Sequence, residues 1–288
     1  MHDILFENFP EFFTRLFCLR SRLLVRRSAR RAEIVYSVSE FSKGELVRRY
    51  GLAAEKIQVI WNAADLRRFH PGSDGREHVE ALGLQPGQYL LTVGRLEPRK
   101  NHLRLIEAYA RLPEPRPRLA IVGQRDFGFA EVLALKEKLG LGDQVVFLEH
   151  VNDAALPALY RHARVFAYPT LAEGFGMPVI EAMASGVPVM TSNTTALPEV
   201  AGDAAMLIDP YSVPAIAGCL ERMLGDEALA LRLAAAGLEQ ARKFRWETEA
   251  AKLAQGYLAH FARQPLASRL AAQAAAAAEV PDTAAVAN

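Results

Sequence analysis

The stretch 173–186, EGFGMPVIEAMASG, carries two carboxylates eight residues apart, Glu173 and Glu181, on either side of a glycine loop. Gly174 and Gly176 free the backbone for tight turning and for close approach by a ligand. Pro178 fits the first position of a helix and Gly186 fits just past its end. A helix that starts directly after a glycine loop presents unpaired N–H groups and the positive end of its dipole, which together bind phosphate. Glu181 falls about one turn into this helix, where an acid is a poor partner for phosphate but a good acceptor for hydroxyl groups. Its face neighbours are Pro178, Ala182 and Ser185, opposite Val179, Ile180 and Met183. Glu173 lies beyond the carboxyl end of the apolar run 165–168, where open α/β sheets place their ligands. Taken singly, either acid reads first as a solvated or ion-paired surface residue. The glycines, the proline and the strand–loop–helix context together favour a ligand with phosphate in its middle and hydroxyl groups at both ends. A nucleotide sugar has that shape.

A second cluster, GRLEPRKN at 94–101, follows the apolar run 89–93 and belongs at the same sheet edge. After Gly94, Arg95 offers a planar fork to phosphate and Lys100 a mobile point charge. The side chain of Asn101 is expected to cap a helix beginning at His102. At a third strand end, Gly123 reads equally as a ligand contact or a simple tight turn.

These residues need rigid elements to hold them. Short apolar runs at 34–38, 57–61, 89–93, 119–122, 145–148, 165–168, 187–191 and 205–208 are nearly continuous rather than alternating. A parallel sheet covered on both faces requires that pattern. Amphipathic helical patterns lie between them at 103–112, 130–139, 156–161, 179–184 and 214–224. The alternation predicts an α/β fold with a doubly wound parallel sheet of five or six units from 89 to about 224. The first 70 residues hold only a long helix, a strand, a helix and a strand, which is too little for a second such domain. They read as the end of an N-terminal Rossmann-like domain, followed by a linker and a short helix at 70–87.

The set GRLEPRKN and EGFGMPVIEAMASGVPV resembles the donor-binding half of the retaining glycosyltransferases of the GT-B fold, family-4 type. Glu173 and Glu181 match that family's E-x7-E motif. AEIVYSVSEFSK at 32–43, SNTTALPEVAGDAAMLIDP at 192–210 and FRWETEA at 244–250 support the resemblance, which runs from about residue 2 to 257. It implies a partial acceptor-side domain over 1–75, a nucleotide-sugar domain over 76–244, a crossover helix over 245–263 and a low-complexity tail over 264–288. It implies that Arg95 and Lys100 hold the donor diphosphate, with Gly94 and Gly123 beside them. The backbone of Gly174, Phe175, Gly176, Met177, Pro178 and Val179 should add phosphate contacts. Glu173 is then expected to bind hydroxyls of the transferred sugar, and Glu181 those of the ribose. Residues near Glu149 to Val151 would flank the base. His2 would be an active-site histidine facing the sugar. The expected donor is a UDP- or GDP-sugar, a mannosyl donor among the candidates, and the expected acceptor a glycan or lipid-linked hydroxyl in polysaccharide biosynthesis. No further cofactor and no metal is implied. The alternative is a donor-binding fragment that does not catalyse alone or needs a separate N-terminal partner.

The bulk composition is compatible with this. The 288 residues are 51% apolar and 23% charged, with a net charge of +1, so no global field attracts nucleic acid. Two cysteines, Cys18 and Cys219, exclude a disulfide scaffold and fit a reducing, cytoplasmic compartment. No run of apolar residues is long enough to span a bilayer. The stretch 12–31 mixes seven arginines with Phe, Leu and Val. It reads either as a basic amphipathic helix on anionic lipid at the inner membrane face, or as a domain helix whose arginines snorkel over apolar surface.

Overall fold

The computed structural model describes residues 1–262; the tail assigned to 264–288 lies outside the described residues. In chain order, α1 (Leu5–Asn8), α2 (Arg15–Arg31), β1 (Val35–Ser37), α3 (Glu40–Tyr50) and β2 (Ile57–Val59) come first. They are followed by α4 (Arg76–Ala81), β3 (Tyr89–Val93), α5 (His102–Ala110), β4 (Arg118–Val122), α6 (Phe129–Lys138) and β5 (Val145–Leu148). Next come α7 (Ala155–Arg161), β6 (Val165–Tyr168), α8 (Met177–Ala184), β7 (Val189–Ser192), α9 (Leu197–Ala201) and β8 (Ala205–Ile208). Three more helices follow among the described residues: α10 (Val213–Gly225), α11 (Glu227–Ala241) and α12 (Trp246–Ala262).

The six strands β3 to β8 form one parallel sheet in the order β5-β4-β3-β6-β7-β8. Successive side chains of a strand point to opposite faces, and the core divides accordingly. Leu91, Ala120, Phe166, Tyr168 and Val189 face a core shared with α7, α8 and α9. Leu90, Leu119, Ile121, Val165 and Met190 face a second core shared with α5 and α10. Both faces are covered, which is why the strands read as unbroken apolar runs. The strand order reverses between β3 and β6, so the crevice at their carboxyl ends is the switch point where such sheets bind ligands. Both clusters singled out from the sequence follow these two strands.

The sequence pattern did not anticipate α9 or α11. The latter, EALALRLAAAGLEQA, is rich in small residues and has little apolar contrast between its faces. Its start is set by Asp226, whose side chain accepts from Leu229 N at 2.9 Å. Asn101 is a correction. Its φ is +63° and its side chain makes no cap bond to α5. Instead Nδ2 donates to the carbonyls of Pro169 at 2.8 Å and Pro210 at 2.7 Å, tying the loop after β3 to those after β6 and β8.

The N-terminal region has a separate small core of Ile4, Phe6, Cys18, Val35, Leu46, Tyr50 and Ile57, and a two-stranded parallel sheet of β1 and β2. Val38, Ala63, Ala64 and Phe69 join the core of the larger sheet, and polar contacts add to the junction. The Glu199 carboxylate of α9 accepts from the N–H groups of Glu40 at 2.9 Å and Phe41 at 3.1 Å, at the start of α3, and from Trp61 Nε1 at 2.9 Å. An anion at a helix start satisfies orphan donors and complements the dipole. Glu249, in the first turn of α12, accepts from Trp61 N at 2.9 Å.

Candidate functional site

Glu173 is 8% exposed. Its Oε1 accepts from Lys100 Nζ at 2.6 Å, Tyr168 OH at 2.8 Å and Thr170 Oγ1 at 3.1 Å, and lies 3.0 Å from a guanidinium nitrogen of Arg99. Among the described residues no donor is bonded to Oε2. One oxygen is therefore held and the other remains able to accept a hydroxyl. Burial alone would raise the carboxyl pKa, but Lys100 and Arg99 outweigh it and hold it down at about 2. Sequence reasoning placed Lys100 and Glu173 in one site and missed three of the four groups on Oε1. Arg99 donates to the Ala172 carbonyl at 2.7 Å and pairs with Glu97 at 2.5 Å. Its carbonyl accepts from Leu171 N and Thr170 Oγ1, which ties the two loops together. The Lys100 ammonium lies 5.1 Å from the centre of the Tyr168 ring.

Glu181 projects from α8 and accepts from Tyr160 OH through Oε2 at 2.8 Å. Burial raises its pKa, opposed by that hydrogen bond and by the charge of Arg68. The side chains of Ala182 and Ser185 are buried, so the open face of α8 is narrower than the helical pattern implies. Gly186 ends the helix with φ +75°, as expected. Of the backbone groups expected to cradle phosphate, Pro178 has no N–H, and Val179 N donates to the Gly176 carbonyl at 3.0 Å. The N–H groups of Gly174, Phe175, Gly176 and Met177 have no acceptor among the described residues. Four consecutive donors at a helix start make an anion-binding cradle. The ring of Phe175 contributes nothing to it; it is buried edge-on against Phe244 at 5.6 Å.

Arg95 is 65% exposed on its side chain and paired with Asp126 at 2.9 Å, at the mouth of the crevice. Gly123 is a close-packing glycine: a Cβ there would sit 1.9 Å from the Gly94 carbonyl oxygen, so the strand ends of β3 and β4 meet only because it has none. Glu149 is paired with Arg125 at 2.7 Å, and His150 adopts φ +55°, a conformation that favours glycine.

His2 is exposed on the segment that abuts the glycine loop. A Cβ on Gly174 would lie 2.9 Å from the His2 carbonyl oxygen and 2.6 Å from Asp3 Cβ, so this approach also requires glycine. The Gly174 carbonyl accepts from Ser39 Oγ at 2.7 Å and Ser42 Oγ at 3.3 Å, and Ser42 Oγ is also 3.3 Å from the His2 carbonyl. Asp3, next to it, has its pKa raised chiefly by burial. Among the described residues no group of three or more His, Cys, Asp or Glu is placed to hold a metal ion.

Comparison with known proteins follows the same residues. Residues 76–240 match the family model for glycosyl transferases group 1, and residues 1–68 match the model for glycosyltransferase family 4. The chain is 36% identical over 251 residues to O-antigen chain mannosyltransferase B of Escherichia coli, covering 85% of this chain and 66% of that protein. It is 35% identical over 234 residues to a D-inositol 3-phosphate glycosyltransferase of Streptomyces scabiei, covering 75% of this chain and 51% of that protein. The chain thus spans two thirds or less of the length of these relatives. Among solved structures, Anabaena HepE in complex with UDP and glucose superposes with a TM-score of 0.79 at 26% identity, covering 90% of this chain and 70% of that one. Sucrose-phosphate synthase of Thermosynechococcus elongatus gives 0.76 at 29%, covering 85% and 63%.

The Glu173 cluster makes a prediction about acid stability. A carboxyl held at about 2 in the fold and near 4.5 when unfolded stabilises the fold above pH 4.5. That contribution, about 3 kcal/mol, is lost as pH falls towards 2. Glu173→Gln should therefore unfold at lower urea than the parent at pH 7, with the gap shrinking steadily between pH 4.5 and 2.5. A gap that does not change with pH would contradict the assignment.

Proposed function

The chain belongs to the glycosyl transferases of group 1, and from that membership we propose that it moves a hexosyl group, mannose in the first instance, from a UDP- or GDP-sugar to a hydroxyl on a glycan or lipid-linked acceptor, with retention. The observation that carries this reading is the layout of the switch-point crevice. Four free amides at the start of α8 lie between two carboxylates, each with one oxygen held by the protein and the other open. The diphosphate takes the amides of Gly174 to Met177, with Lys100 and Arg95 supplying positive charge. The open oxygen of Glu173 accepts a sugar hydroxyl and that of Glu181 the ribose hydroxyls. Glu149 to Val151 lie towards the base, and His2 towards the sugar.

In the transfer, the bond from the anomeric carbon to the diphosphate oxygen breaks and its electron pair leaves with the diphosphate. The acceptor oxygen forms the new bond on the same face, and its proton passes to a leaving phosphate oxygen. Fixed donors aimed at this developing charge lower the barrier, each by about 2–4 kcal/mol. Lys100 must exchange Glu173 for the phosphate, and Arg99, Tyr168 and Thr170 keep Glu173 in place when it does. Charge from Lys100, Arg95 and the helix start supports a reaction that needs no metal.

Binding and transfer are tested separately, because the chain spans only part of its relatives. In calorimetry with GDP-mannose, UDP-glucose and the free diphosphates, one nucleotide should bind. Lys100→Ala should weaken it by about 2 kcal/mol, and Arg95→Ala and Glu181→Gln by less. EDTA should change none of these. Unaltered affinity in all three variants, or a strict Mg²⁺ or Mn²⁺ requirement, would overturn the donor-site reading.

The same proposal places the protein at an anionic membrane face in the cytoplasm, through α2. Leu16, Phe17, Leu19, Leu23 and Leu24 are all exposed on this helix, interleaved with Arg15, Arg20, Arg26 and Arg27. Among the described residues no helix is long and apolar enough to cross a membrane. Each Arg near an anionic surface adds about 1 kcal/mol. The chain should co-sediment with phosphatidylglycerol vesicles and not with phosphatidylcholine vesicles. Arg26→Glu with Arg27→Glu should abolish this, and equal sedimentation with both lipids would contradict it.

A further inference from the structure

Tyr160 and Tyr168 stand eight residues apart in the chain, the same interval as Glu173 and Glu181, and each tyrosine donates to one of the two carboxylates. Their roles differ in redundancy. Tyr168 shares Oε1 of Glu173 with Lys100, Thr170 and Arg99. Tyr160 OH is the one hydrogen-bond donor to Glu181 among the described residues.

The Tyr160 ring is fully buried. Phe69 packs edge-on at 5.6 Å and Phe166 lies tilted at 5.3 Å, which holds the ring with its hydroxyl on Glu181. The hydroxyl keeps its proton at all ordinary pH, because burial and the Glu181 charge push its pKa well above 10. It therefore acts only as a donor to the acid. Carboxylate rotation about its last torsion is soft, and the cation whose charge acts on Glu181, Arg68, is hydrogen-bonded to Asp153 at 2.9 and 3.0 Å rather than to the acid. Without the phenol, Glu181 has no fixed orientation.

We propose that Tyr160 is a positioning residue for nucleotide recognition: it fixes Oε2 of Glu181 so that Oε1 is presented to the ribose hydroxyls. This rests on the donor-site reading above and extends it to a residue of α7 that touches no part of the ligand. The cost of losing the phenol falls on the ribose hydroxyls alone. The diphosphate still has Lys100 and the loop amides, and the base is not involved.

The test compares GDP and UDP with their 2′,3′-dideoxy counterparts by calorimetry, on the parent chain, Tyr160→Phe and Tyr168→Phe. The parent should prefer the ribose form of the nucleotide it binds by about tenfold or more, as expected for hydroxyls on a charged acceptor. Tyr160→Phe should lose most of that preference while its affinity for the dideoxy form stays at the parent value, which also shows the variant to be folded. Tyr168→Phe should keep the preference. A ribose preference retained in Tyr160→Phe would overturn the proposal. So would equal loss of affinity for both forms, which marks a merely structural role, or a parent chain that binds nucleotide with no ribose preference. A parent chain that binds neither diphosphate would instead overturn the donor-site reading on which the proposal stands.

Discussion

A carboxylate buried at the strand ends survives there only if enough donors reach it, because an isolated ionised group in a protein interior costs many times what a fold has to spare. Glu173 is that carboxylate, and most of the site follows from satisfying it. The loop after β3 must bring Arg99 and Lys100 across, β6 must end on Tyr168, and the following loop must place Thr170 within reach. All four donors converge on one oxygen. Ion pairing with Lys100 and Arg99 holds the carboxyl ionised against the effect of burial, and the second oxygen remains available to a ligand. Four partners also make the arrangement robust to the departure of one. Lys100 can turn to a phosphate without leaving the acid unpaired.

The same crowding explains where glycine is required. Gly174 lets the segment carrying His2 and Asp3 lie directly on the loop, and Gly123 lets the ends of β3 and β4 touch. The N-terminal region is fastened to the large sheet by polar groups as well as by Val38, Ala63, Ala64 and Phe69, which enter the core on one face of that sheet. Glu199 sits on the start of α3, Glu249 holds Trp61, and Ser39 and Ser42 bond to the carbonyl of Gly174. The acid-bearing loop is thereby gripped from both regions, and its four consecutive amides are left without an acceptor among the described residues.

Much of this was readable before any coordinates. The eight strands among the described residues stand where the apolar runs place them, and in the six-stranded sheet the runs are unbroken because both faces are covered. The pairing of GRLEPRKN with EGFG at one sheet edge followed from both stretches trailing a strand. The four donors on Glu173 were only partly legible. Arg99 looks like one more basic loop residue, and nothing in local spacing shows that its guanidinium points inward. Tyr160 and Tyr168 read as core aromatics, which their rings are; only the hydroxyls matter to the acids. Asn101 had the right residue type for a cap, but two carbonyls from distant loops compete for its amide and win. For Arg99, Tyr160 and Asn101 the deciding partner is more than twenty residues away in the chain, beyond the range of periodicity and motif; Tyr168 lies only five residues from Glu173, but across a loop whose path no periodicity gives.

The account stands or falls on the division of labour between the two oxygens of Glu173. A crystal structure of the chain with a non-transferable nucleoside diphosphate sugar measures it directly. The account predicts Oε1 still on Arg99, Tyr168 and Thr170, Lys100 Nζ moved onto the diphosphate, and Oε2 within hydrogen-bond distance of a sugar hydroxyl. A bound donor whose sugar lies away from Glu173, with Lys100 unmoved and both carboxylate oxygens taken by protein groups, would contradict it.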